Sequence, residues 1–197
     1  DGAGLRVDTG VLAFTVPAAG FQPVADVALA GQALCGGSAF DGFTMTLDGE
    51  RLTTATGSVQ LELEESGPLR AVILIRGQHC RADGSGCFDL RGRITAWAGK
   101  PWIEVEHQFI HAEEGEERQL EALRLAFAPP RINGQAQLAL GEGFYRTRIK
   151  QGVETLAMTL DTETLLYQAN EHFVDSFYGD FWGDWRDDAG GLALSVH

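Results

Sequence analysis

Lysine is nearly absent from this chain of 197 residues: Lys100 and Lys150 are the only two, so 13 of the 15 basic side chains are arginines. Guanidinium suits planar, bidentate contact with carboxylates, which would fit an acidic sugar, but arginines dispersed over a surface are the commoner explanation. Basic residues are also outnumbered, 15 against 28 acidic ones, for a net charge of −13. Repulsion at that charge argues against a nucleic-acid partner. No stretch approaches the roughly 18 uninterrupted apolar residues of a membrane helix, so no membrane partner is expected. There is no Walker loop, no dinucleotide-binding glycine fingerprint, no nucleophile elbow and no His-Glu-x-x-His. That silence argues against a self-contained enzyme of the motif-bearing classes and leaves the catalytic residues unknown.

Cysteine is scarce too, with three residues. Cys80 and Cys87 flank the turn Arg-Ala-Asp-Gly-Ser-Gly (81–86), where a hairpin would set them on facing strands with Cα atoms about 5.5 Å apart, close enough for a disulfide. A bridge would imply an oxidising compartment, extracellular or periplasmic, and would leave Cys35 as an odd buried thiol; three free thiols in a cytosolic protein is the competing reading. The chain opens on Asp1 without methionine or signal segment, as expected of a processed, trimmed or partial chain.

What is plentiful is glycine, 25 residues spaced singly between apolar runs, the pattern of many turns joining many short strands. The clearest block is 67–111, which reads as three antiparallel strands over 69–79, 88–97 and 102–111. In the last of these Ile103, Val105, His107, Phe109 and His111 share one face and Glu104, Glu106 and Gln108 the other. Strands are also expected over 5–7, 11–16, 24–29, 43–47, 51–54, 58–64 and 121–127, with Asp48-Gly49 turning a hairpin and the glycine-rich 30–42 as a loop. Pro129-Pro130 and Asn133-Gly134 mark an internal boundary. It separates an N-terminal antiparallel β domain, 1–130, from further strands in 131–197 that start a second sandwich or continue the first. The fold class is therefore all-β, an antiparallel β-sandwich or barrel-like sheets with little helix.

Few residues carry candidate chemistry. His107 and His111 would stand about 13 Å apart along one strand, too far for one metal, so His107 reads as a packed, hydrogen-bonded residue and His111 as a strand end. Glu104 and Glu106, about 6.6 Å apart, could form a glycosidase-like carboxylate pair but fit a solvated face better. Glu113, Glu114, Glu116 and Glu117 form a solvated loop or at most a weak calcium site; no other cofactor and no metal centre is expected. The segment 172–191 alternates aromatics with carboxylates and an arginine, which is what a sugar ring meets: an apolar C–H face for stacking, hydroxyls for charged partners. Tyr178, Trp182, Trp185 and Arg186 are the candidate sugar contacts, against the plainer reading of a loop anchored by core aromatics.

Several stretches in order carry a family resemblance: Val-Asp-Thr-Gly-Val-Leu-Ala-Phe-Thr-Val (7–16), Glu-Ser-Gly-Pro-Leu-Arg-Ala-Val (65–72), Gly-Gln-His (77–79), Arg-Ile-Thr-Ala-Trp-Ala-Gly-Lys-Pro (93–101), Val-Glu-His-Gln-Phe (105–109) and Gly-Asp-Trp with Gly-Gly-Leu-Ala-Leu-Ser-Val near the end (183–196). Together they resemble the exo-rhamnogalacturonan-lyase-like, or YetA-like, proteins. The resemblance implies a polysaccharide or oligosaccharide partner, a secreted setting, and a longer parent lyase in which β domains precede a helical toroid. It places this chain as the first β domain and the start of the central sandwich, ending before the helical part. Such a lyase removes the proton α to a uronate carboxylate and eliminates the 4-linked sugar, with a base and a cation at hand. The resemblance maps no catalytic residue onto this chain, which would serve as scaffold and cleft wall. A non-catalytic sugar-binding or structural domain, or a subunit that self-associates through an edge strand at Leu192 to Val196, are the alternatives.

Overall fold

The computed structural model describes residues 4–38, 40–111, 117–127, 137–142, 146–151, 157–160, 165–168, 181–187 and 190–196. Every regular element among them is a β-strand. The chain divides into two compact units, residues 1–130 and 131–197.

The first unit holds two antiparallel sheets. One has the order β1-β2-β3-β4, built from Leu5–Asp8, Leu12–Val16, Ala25–Leu29 and Gln32–Ser38. The other contains β5 (Phe40–Leu47), β6 (Glu50–Thr53), β7 (Gln60–Ser66), β8 (Arg70–Cys80), β9 (Gly86–Trp97), β10 (Ile103–Ile110) and β11 (Leu120–Phe127). Its order is β10-β9-β8-β6-β5-β11, with β7 also paired to β8. The eleven-residue β8 is long enough to serve two neighbours on one edge: residues 71–76 pair with β7, and Cys80 pairs with Thr53 of β6.

Period-two alternation explains how the sheets meet. Phe14 and Val16 of β2, with Phe21 from the connection to β3, pack against Ile73, Ile75, Leu90 and Ile94, all nearly withdrawn from solvent. Each such side chain contributes roughly 1.5–3 kcal/mol by leaving water. Gly92 lies in the middle of this face, and a Cβ there would stand 3.0 Å from the Phe21 ring, so the missing side chain makes room for the phenyl group. A second cluster, Met45, Leu47, Leu52, Cys87 and Phe88, lies further along the larger sheet, with Met45 and Leu47 on the face of Phe43 and Phe88 on the face of Leu90 and Ile94. That sheet curls until His107 on β10 stacks on Phe43 of β5, ring centroids 3.9 Å apart. The result is an antiparallel β-sandwich whose larger sheet is a half-barrel.

The central block forms as the sequence indicates, with β8, β9 and β10 in consecutive register. The Asp48-Gly49 hairpin is also present, with φ of 50° and 77°, the left-handed conformation such turns demand. Two expectations change. The stretch 30–42 is not a loop: β4 and the start of β5 occupy most of it, and Gly36 and Gly37, where the register against β3 shifts, hide the alternation. The Cys80–Cys87 disulfide does not form, and both cysteines, like Cys35, are free. The register slips between His79 and Cys80, so His79 faces Phe88 while Cys80 faces Gly86. The Cys80 sulfur then lies over Gly57, 2.7 Å from where a Cβ would be, and the Cys87 sulfur is 3.5 Å from an Arg81 nitrogen. The two thiols point to different neighbours.

The second unit, described by itself, has a four-stranded sheet of order β13-β12-β16-β17, from Arg146–Gln151, Gln137–Glu142, Phe181–Asp187 and Gly190–Val196. A separate hairpin pairs β14 (Ala157–Leu160) with β15 (Leu165–Gln168).

Candidate functional site

The aromatic and acidic segment is in part a strand rather than a loop. β16 lies between β12 and β17, and alternation puts Trp182, Asp184 and Arg186 on one face, with Trp185 and Asp187 on the other. Trp182 is opposite Gly141, where a Cβ would come within 2.4 Å of the indole; the ring lies across bare backbone. Arg186 and Asp184 form an ion pair at 2.9 Å, with the arginine side chain 57% exposed. Trp185 buries its indole nitrogen without a hydrogen-bond partner among the described residues. Of the four candidate sugar contacts, Trp182 and Arg186 therefore share a face, Trp185 faces away, and Tyr178 lies outside the described residues.

A second constellation joins two residues that the sequence offers separately. His79 on β8 is wholly buried, and its Nε2 lies 3.0 Å from Nε2 of His107 on β10. The rings meet edge to face, centroids 5.1 Å apart. The other nitrogen of His79, Nδ1, is 3.3 Å from the Phe88 carbonyl. A carbonyl only accepts, so Nδ1 carries the proton of neutral His79 and its Nε2 is the acceptor. His107 must then donate from Nε2 and keep its lone pair on Nδ1.

Both imidazoles are poor bases. Burial lowers the His79 pKa, against a smaller opposing effect of the Phe88 carbonyl. Burial first, and the neighbouring His79 second, bring His107 down from 6.5 to about 4. At neutral pH the couple is uncharged, which suits packing between the two apolar clusters better than proton abstraction. His111 is apart from it, with its ring 4.8 Å from that of Phe88.

The carboxylates of β10 fall on the outer face as alternation requires. Glu106 lies 3.6 Å from Arg93, which also holds Glu64 at 2.7 Å; Glu104 has no role in the couple. Among the described residues no group of three or more His, Cys, Asp or Glu is placed to hold a metal. Glu113, Glu114 and Glu116 lie outside the described residues. Among the described residues, six of the thirteen arginines, at positions 70, 76, 81, 93, 118 and 186, pair with the chain's own carboxylates.

An all-β chain with a sandwich whose larger sheet curls into a half-barrel defines the class: an antiparallel β domain. The family model of the PcRGLX-like protein central beta sandwich domain matches residues 1–135. The chain belongs to the PcRGLX-like, rhamnogalacturonan-lyase-like proteins. The matched domain is the family's central sandwich, so the first unit corresponds to that domain rather than to the one before it. No curated protein and no solved structure matches the chain.

Proposed function

We propose that this chain is the β-rich scaffold of a polysaccharide lyase acting on uronate-containing, rhamnogalacturonan-like glycans, and that β16 forms part of a substrate-cleft wall. The match of residues 1–135 to the family's central sandwich carries this reading. The face of β16 supports the second half: Trp182 offers a flat ring, and on the same face the exposed Arg186, paired with Asp184, offers donors and acceptors to sugar hydroxyls. Elimination needs a base and a cation beside the uronate carboxylate; the neutral, weakly basic His79–His107 couple fits neither role, so the chemistry is assigned to a helical domain of the parent protein. The setting is extracellular or periplasmic, on family context alone, since the cysteines are free.

A second reading, a subunit that self-associates, is favoured by β17, an edge strand among the described residues on which Leu194 and Val196 are 43% and 65% exposed. Incubating the chain with rhamnogalacturonan and following the ultraviolet absorbance of unsaturated uronate separates scaffold from catalyst. No product is expected from this chain alone, whereas steady product formation would overturn the scaffold assignment.

A further inference from the structure

We infer that the outer face of the seven-stranded sheet carries a second saccharide-binding surface, formed by Trp102, Trp97, Arg70 and Glu65 and selective for neutral sugar units. It rests on the carbohydrate reading above but uses strands of the first unit, whereas β16 belongs to the second. Register puts Trp102, Trp97 and Arg70 in one row, and Glu65 reaches Arg70 from β7. Ile103 pairs with Ala96, so Trp102, one residue earlier, comes opposite Trp97, and Trp97 pairs with Arg70. The row crosses three strands, about 10 Å. It faces away from the core because Ile94, Ala96 and Ile103, on the alternate positions, face inward.

The indoles of Trp97 and Trp102 lie 4.3 Å apart at 42°. Trp102 remains 49% exposed. Next to them the Arg70 Nε and Nη2 donate to the Glu65 carboxylate at distances of 2.6 to 3.2 Å, and both side chains stay nearly half exposed. An indole takes the C–H face of a pyranose, and an adjacent guanidinium and carboxylate supply donors and acceptors for vicinal hydroxyls. Arg93, two steps along the same face of β9 beyond Thr95, is likewise matched to Glu64 and Glu106. Because each arginine already holds a carboxylate, the surface favours hydroxyls over a further carboxylate.

The platform is also rigid. Its turn is fixed by Gly99 N–H to the Thr9 carbonyl at 2.7 Å, by Ala98 N–H to the Leu69 carbonyl at 2.9 Å, and by the Thr9 hydroxyl to the Lys100 carbonyl at 2.9 Å. Little freedom remains to be lost on binding.

The test titrates the 197-residue chain with rhamnogalacturonan oligosaccharides and, separately, with oligogalacturonates, by calorimetry. Trp102→Ala should weaken the first roughly five- to ten-fold and leave the second unchanged, while Trp102→Phe keeps most of the affinity. Glu65→Gln, which removes little volume, should weaken the first as well and provides the readout if Trp102→Ala fails to fold. If only Trp182→Ala lowers affinity, this surface is overturned and the β16 wall stands. If only the Trp102 and Glu65 variants do, the surface stands and the wall falls. Unchanged affinity in all of them overturns both, and equal losses for oligogalacturonates overturn the selectivity for neutral units.

Discussion

At the scale of single residues, Thr54 shows how one hydroxyl can hold three segments. Its Oγ1 accepts from the Phe43 N–H at 2.9 Å and donates to the Phe21 carbonyl at 2.8 Å, in a fully buried position. Phe21 and Phe43 are the rings stacked in series toward His107. Thr54→Val keeps the shape and strands both partners in the interior. It should cost about 1–3 kcal/mol in urea unfolding at neutral pH, against a few tenths for a surface threonine.

The histidine couple gives a prediction with a definite sign. His107 titrates near 6.5 when unfolded and about 4 when folded, so between these values the unfolded chain binds more protons. Stability is therefore complete above about pH 6.5 and is lost as pH falls toward 4. Urea midpoints measured across that window should decline steadily in the wild type and more shallowly in His107→Gln. A midpoint that rises on acidification would contradict the buried, neutral couple. The sequence supplies part of this site: alternation places His107 on the inward face, but its meeting with His79 depends on the curl of the sheet. Three strands must bend before residues 28 apart in sequence touch.

At the scale of elements, β8 and β9 show why strands are easier to read than the contacts between them. Their extent follows from β-branched runs and from the turn at 81–86. A one-residue slip at His79/Cys80 then decides which side chains face each other, and no composition signal marks that slip. Counting thiols under denaturing, non-reducing conditions should give three, whereas one would mean that the bulge closes into a disulfide after all. In the folded chain Cys80, whose pKa burial raises, should alkylate slowly. β16 was hidden for a different reason. Its glycine, aspartates and aromatics resemble a loop, yet Trp182 and Trp185 sit on opposite faces of a paired strand, which separates candidates that looked like one cluster. β4 was hidden by Gly36 and Gly37, which erase the alternation and fall where its register against β3 shifts.

At the scale of the whole molecule, the family and the all-β class come from many weak signals in a fixed order. The central claim is that this chain is a glycan-facing scaffold. It is tested most directly by titrating the chain with rhamnogalacturonan oligosaccharides while following tryptophan fluorescence, with the unsaturated-uronate absorbance recorded in the same cuvette. Saturable quenching, abolished by Trp102→Ala combined with Trp182→Ala, and a flat absorbance trace are expected. Fluorescence unchanged at saturating oligosaccharide, or an absorbance that climbs with time, would contradict that claim.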